Sequence, residues 1–157
     1  QREITQELVK QLLPERRADS NKGSYGSVWL RQGKHGLPAG AAALCTEGAL
    51  RGGAGWVFLA SVEPVVQLVL TRTPECWCLR LPHGGQRRHP PHDAAAAGLV
   101  CRRSAVLLAG PGLGESAPGV CRALLGKNAP WRGAVLDADS LNALAAGRLR
   151  GGLPANT

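Results

Sequence analysis

Four short segments carry residues whose types and spacing could do chemistry. The first, Asn21-Lys22-Gly23-Ser24-Tyr25-Gly26, sets a lysine among glycines just before an apolar run. A positive charge beside bare backbone suits a phosphate; an ordinary turn with a solvated lysine would look the same. The second runs from Gly36 to Ala41 and on through an alanine-rich stretch to Ala49-Leu50-Arg51-Gly52-Gly53-Ala54-Gly55. Free N–H groups and the positive end of a helix favour an anion such as a pyrophosphate. Gly40 and Ala41, small residues at the helix entrance, let a ligand approach closely. The spacing is neither a Walker A loop nor a dinucleotide fingerprint, and tight helix–sheet packing would use the same residues. The third, Val106-Leu107-Leu108-Ala109-Gly110-Pro111-Gly112-Leu113-Gly114, ends an apolar run in a glycine turn. Three glycines in five positions permit positive φ and close backbone approach, which places open backbone at a strand's carboxyl end, where an α/β site is expected. In the fourth, Val135-Leu136-Asp137-Ala138-Asp139-Ser140-Leu141-Asn142, two carboxylates leave a buried run as a helix begins. Asp139 is placed to cap that helix. Asp137, at the strand end, is the better candidate for a ligand or metal-water contact, and Asn142 follows on the helix.

The elements that must position these segments alternate. Residues 3–13 put Ile4, Leu8, Leu12 and Leu13 on one helical face, stopped by Pro14, and 16–21 form a polar linker. The expected strands are 28–30, 56–60, 76–81, 105–109 and 134–136. The expected helices are 41–50, 62–70, 117–125 and 140–146. Residues 82–98, rich in Pro, Gly, Arg and His, read as a variable loop running into a short helix. Repeated strand–helix units imply a parallel sheet with helices on its faces, binding ligands at the carboxyl ends of its strands.

Composition narrows the class. The chain has 157 residues, 44% hydrophobic and 19% charged, enough for one domain with a real core. No apolar run reaches the roughly 18 residues of a membrane span, and no signal peptide is visible. The absence of methionine reads as a piece cut from a longer chain. The net charge of +8 is carried by scattered arginines without interleaved aromatics, so no nucleic-acid partner is expected. The five cysteines, Cys45, Cys76, Cys78, Cys101 and Cys121, are irregularly spaced and mostly set among apolar residues. They read as free thiols in a reducing cytoplasm.

The order of the segments resembles the NAD(P)H-hydrate dehydratase family, the carbohydrate-kinase-like domain of bifunctional nicotinamide repair enzymes. The likeness rests on Lys22 to Gly26, Gly40 to Gly55, Pro74-Glu75, Gly110 to Gly114 and Asp137 to Asn142, and covers roughly residues 21–157. It implies a ribokinase-like three-layer α/β/α sandwich with a mainly parallel sheet, truncated here, with residues 1–20 as a connector. It implies dehydration of hydrated NAD(P)H driven by ADP or ATP with Mg2+. It also implies substrate contacts at Ala41 and Gly114, with Gly40, Gly112, Asp137, Asp139 and Asn142 near the same pocket. A homo-oligomer and an epimerase domain, fused or separate, are the partners it suggests. Three departures stand out. The family's Gly-Gly pair after the first strand is Arg31-Gln32-Gly33 here, and the loop to Ala41 is one residue longer. Position 77 is Trp where the family often has Met. The family's nucleotide-phosphate loop and catalytic aspartate would come after Thr157, so no catalytic residue is expected within these 157 and the chain is expected to be inactive alone.

Three rival readings differ in what they require. Another ribokinase-like small-molecule kinase shares the strand–helix alternation but does not usually join the Gly-Pro-Gly-Leu-Gly turn to Asp-Ala-Asp-x-Leu-Asn at this distance. A non-catalytic basic binding module would use the charge. A zinc site from Cys76, Cys78, His83, His89 and His92 fits no standard spacing, and no metal ligand is expected.

Overall fold

The computed structural model describes residues 3–13, 15–33, 39–81, 105–126, 129–149, 153 and 157. The expected loop and helix over 82–98, Cys101 and the three histidines of the zinc reading fall outside them.

The elements follow the apolar runs closely. In chain order they are α1 (Gln6–Leu12), β1 (Ser27–Arg31), α2 (Gly40–Arg51), β2 (Trp56–Val62), α3 (Glu63–Arg72), β3 (Trp77–Leu81), β4 (Ala105–Ala109), α4 (Ala117–Leu124), β5 (Gly133–Leu136) and α5 (Asp139–Ala145). Thr5 caps α1, its side chain accepting from the Leu8 N–H at 3.2 Å. No residue of α1 is buried, so the apolar face read from the sequence is exposed, with Leu12 72% accessible. Pro64 sits in the first turn of α3, where a missing N–H costs nothing.

The five strands form one sheet in the order β3-β2-β1-β4-β5, and every neighbouring pair is parallel. The chain builds outward from β1 to β3, then returns to the other side of β1 for β4 and β5. That reversal puts the crossovers on opposite faces, because such connections are right-handed. On one face Leu30, Val57 and Leu59 pack with Ala42 and Ala43 of α2 and with Val65 and Val69 of α3. On the other, Trp29, Leu107 and Ala134 pack with Val120, Cys121 and Leu124 of α4 and Ala143 of α5. The result is the expected three-layer α/β/α arrangement. Leu30, Val57 and Leu59 are fully buried, and each such side chain contributes about 1.5–3 kcal/mol. An exposed ion pair such as Arg17–Asp19 contributes about 0–1 kcal/mol, so the core and not the surface charge holds this fold.

The reversal leaves a topological switch point between the carboxyl ends of β1 and β4, where open α/β sheets hold their ligands. No described helix is long and apolar enough to cross a membrane.

Candidate functional site at the carboxyl ends of β1 and β4

The loops leaving β1 and β4 close on each other. Gly33 donates its N–H to the Pro111 carbonyl at 3.2 Å. A Cβ on Gly112 would lie 3.4 Å from the Gly33 Cα, so the two turns touch backbone to backbone. Gly112 has φ +70 and Gly114 φ +54, the left-handed region that glycine enters without strain. Gly110, at φ +140, serves packing: a Cβ there would sit 1.8 Å from the Asp137 carbonyl oxygen. The glycine turn is therefore partly a joint between β4 and the end of β5, extended by the Asp137 N–H donating to the Ala109 carbonyl at 3.1 Å.

The acidic segment joins the same end. The Ser140 N–H donates to the Asp137 carbonyl at 3.0 Å, closing a tight turn with Ala138 at φ 46, ψ −115. Ala138 is the non-glycine residue with positive φ among those described. Backbone of this kind costs on the order of 1–3 kcal/mol and gathers at functional sites. Asp139 does not cap α5 with its side chain: the cap position is Ala138, and Asp139 opens the helix. Its Oδ2 instead accepts the Gly114 N–H at 2.7 Å. Two candidate contacts thus bind each other, so Gly114 offers a ligand its bare surface and not its amide. The Asp137 and Asn142 side chains are exposed.

Helix α2 starts at this end too, because it follows β1 in a parallel sheet. Ala42 and Ala43 are buried against the sheet, whereas Gly40 is exposed and a Cβ there would meet nothing within 4 Å among the described residues. Ala39 and Ala41 are half-buried. The entrance of α2 and the 110–114 turn therefore share one end of the sheet, as a common cradle requires.

Sequence reasoning missed Gln32. It is wholly buried just past β1, beside the switch point, and neither Nε2 nor Oε1 has a hydrogen-bond partner among the described residues. Its backbone carbonyl accepts from the Ser61 hydroxyl at 2.7 Å. Arg31 is also buried. The available signal was a polar pair continuing an apolar strand where the resembling family has glycines.

The Lys22 segment does not join this site. It forms a 3-10 turn before β1, at the opposite, amino end of the sheet. The Lys22 Nζ lies 3.7 Å from the centre of the Trp56 ring, and the Trp56 N–H donates to the Gly26 carbonyl at 3.2 Å. Gly55 is pressed so closely on this turn that a Cβ would lie 1.6 Å from the Lys22 carbonyl oxygen. Two motifs that suggested phosphate chemistry thus turn out to pack on each other. An open cleft of about 970 Å³ also lies at this end, lined by Arg17, Tyr25, Gly53 and Arg132 among others; it is remote from the switch point.

No group of three potential metal ligands occurs among the described residues. Among the described residues, Cys45, Cys76, Cys78 and Cys121 are free thiols.

The family model for NAD(P)H-hydrate dehydratase matches residues 32–152. The chain is 37% identical over 139 residues to the bifunctional NAD(P)H-hydrate repair enzyme Nnr of Coxiella burnetii, covering 85% of this chain and 25% of that protein. It is 42% identical over 71 residues to the ADP-dependent (S)-NAD(P)H-hydrate dehydratase of Bacillus subtilis, covering 45% of this chain and 25% of that protein. The Bacillus subtilis ADP/ATP-dependent NAD(P)H-hydrate dehydratase, crystallised with ATP/Mg2+, superposes with a TM-score of 0.67 at 34% identity over 87% of this chain and 46% of that one. A ribokinase-like superfamily protein of Enterococcus faecalis shares the fold alone, with a TM-score of 0.76 at 21% identity over 96% of this chain and 50% of that one. The chain thus spans about half the length of these solved structures and a quarter of the curated relatives. On the family match across most of its length, the chain belongs to the NAD(P)H-hydrate dehydratase family.

Proposed function

We propose that this chain supplies the substrate-binding half of an ADP- or ATP-dependent (S)-NAD(P)H-hydrate dehydratase, a hydro-lyase that returns hydrated nicotinamide cofactor to NAD(P)H. The observation that carries the reading is the meeting of two glycine loops at the switch point, with the exposed Gly40 at the entrance of α2 at the same end.

In this reading Gly40 and Ala41 let the diphosphate of the hydrate approach the positive end of α2. Gly112 and Gly114 form the floor, and Asp137 and Asn142 reach the rim. Asp139 acts through Gly114, holding the turn in its ligand-ready shape. Hydrolysis of the nucleotide drives loss of water from the hydrated ring. The described residues gather no three metal ligands, and Asp139 is already engaged. Mg2+ and nucleotide contacts are therefore not assigned to them, nor is a catalytic base. The bifunctional relative supports an epimerase as the companion activity.

The test compares binding with turnover. The chain should bind NADPH-hydrate weakly and fail to dehydrate it with ADP or ATP. Turnover would refute the assignment of the base to another segment. Absence of any hydrate binding, in a chain shown folded by circular dichroism, would refute the substrate role.

A further inference from the structure

Away from the cradle, two thiols stand side by side. Cys76 Sγ and Cys78 Sγ are 4.0 Å apart. Cys76 belongs to the core cluster on the α2–α3 face, and Cys78 packs against it. Trp77, between them in sequence, turns to the other face, where it meets Trp56 and Phe58, so its ring does not come between the sulfurs. Cys76 is buried, with its thiol toward the Val57 and Trp77 carbonyls at 3.6 Å. Cys78 is half-buried and open to a small reagent. β3 ends the sheet order and is held by β2 on one side. Two residues of extended chain span at most about 6.8 Å between Cα atoms, within the range of about 4.4–6.8 Å that a disulfide bridges. The sulfurs need to close by only about 2 Å.

We propose that Cys76 and Cys78 form a reversible thiol–disulfide site, oxidised by hydroperoxides and reduced by small thiols. The Cys78 thiolate attacks the peroxide, giving a sulfenic acid and releasing water once a proton is taken up. The Cys76 thiol then displaces the hydroxyl, forming the S–S bond and a second water. Two thiols and one hydrogen peroxide thus yield one disulfide and two waters; sulfur is oxidised and peroxide oxygen reduced. Contact with Cys76 holds the Cys78 thiol below its ordinary value, and the same contact, with burial, holds Cys76 well above it. Cys78, the more accessible of the two sulfurs, is the attacking one, and buried Cys76 the resolving one.

Trypsin releases both cysteines in one peptide, Thr73–Arg80. The folded chain is treated with dilute hydrogen peroxide, blocked with an alkylating reagent, digested and weighed. The expected peptide carries no alkyl group and is lighter by two hydrogens than the reduced form, and dithiothreitol restores two alkylatable thiols. A peptide with two alkylated cysteines, or with Cys78 over-oxidised beside an alkylated Cys76, would overturn the proposal. In Cys78→Ser, loss of the Cys76 thiol should slow by about tenfold or more. An unchanged rate in a variant whose circular dichroism matches the parent would also overturn it.

Discussion

Replacing Ala138 by glycine should stabilise the protein, against the usual direction of a point mutation. At φ 46, ψ −115 the alanine backbone carries a strain on the order of 1–3 kcal/mol. Glycine removes that strain but costs about 0.5–1 kcal/mol in extra chain entropy. The Ala138 side chain is exposed, so its loss forfeits little burial. The net gain is about 0–2.5 kcal/mol. For a chain of this size that is a rise in melting temperature of up to about 10 °C. Thermal unfolding followed by circular dichroism, with urea unfolding as a check, reads this directly. The strained turn also fixes the backbone between Asp137 and Asp139, so hydrate binding should weaken in the same variant. A lower melting temperature for Ala138→Gly would refute the strain argument, and tighter binding would refute the link between strain and aim.

The remaining predictions concern the same end of the sheet and the core beneath it. Asp139→Ala leaves the Gly114 N–H without its 2.7 Å acceptor and should cost about 1.5–3 kcal/mol, while Asp139→Asn recovers part of it; urea midpoints decide. Gln32→Leu removes a buried amide with no partner among the described residues and should stabilise by about 1–3 kcal/mol, again by urea unfolding. Gly110→Ala sets a Cβ 1.8 Å from the Asp137 carbonyl oxygen at φ +140 and should cost about 3 kcal/mol or more, seen as loss of soluble folded protein. Burial holds the Cys121 thiol above its ordinary value of 9.0. The folded state therefore keeps a proton that the unfolded state releases, and stability should fall as pH rises above 9.0. Cys121→Ala should flatten that part of the pH–stability curve.

Much of the fold was legible because each apolar run is bounded by glycine, proline or a charged residue. The strand over 105–109 matches the sequence reading at both ends, and the others shift by at most two residues. Strand order was not legible: nothing local says that β4 returns to the far side of β1. The pairing of Gly114 with Asp139, 25 residues apart, likewise appears only once β4 and β5 lie side by side. The exclusion of the Lys22 segment from the site was legible, since a motif preceding a parallel strand lies at its amino end and a ligand site lies at the other. Gln32 was missed because a polar residue after a strand is ordinarily exposed.

The claim that a hydrated nicotinamide dinucleotide sits where β1 and β4 end is tested most directly by amide chemical shifts. NADPH-hydrate is titrated into 15N-labelled chain. The shifts should move at Gly33, Gly40, Ala41, Gly112 and Gly114, with Tyr25, Gly26 and Gly53 at the amino-end cleft unmoved. Movement confined to Tyr25, Gly26 and Gly53 would put the ligand at the wrong end of the sheet and contradict the account.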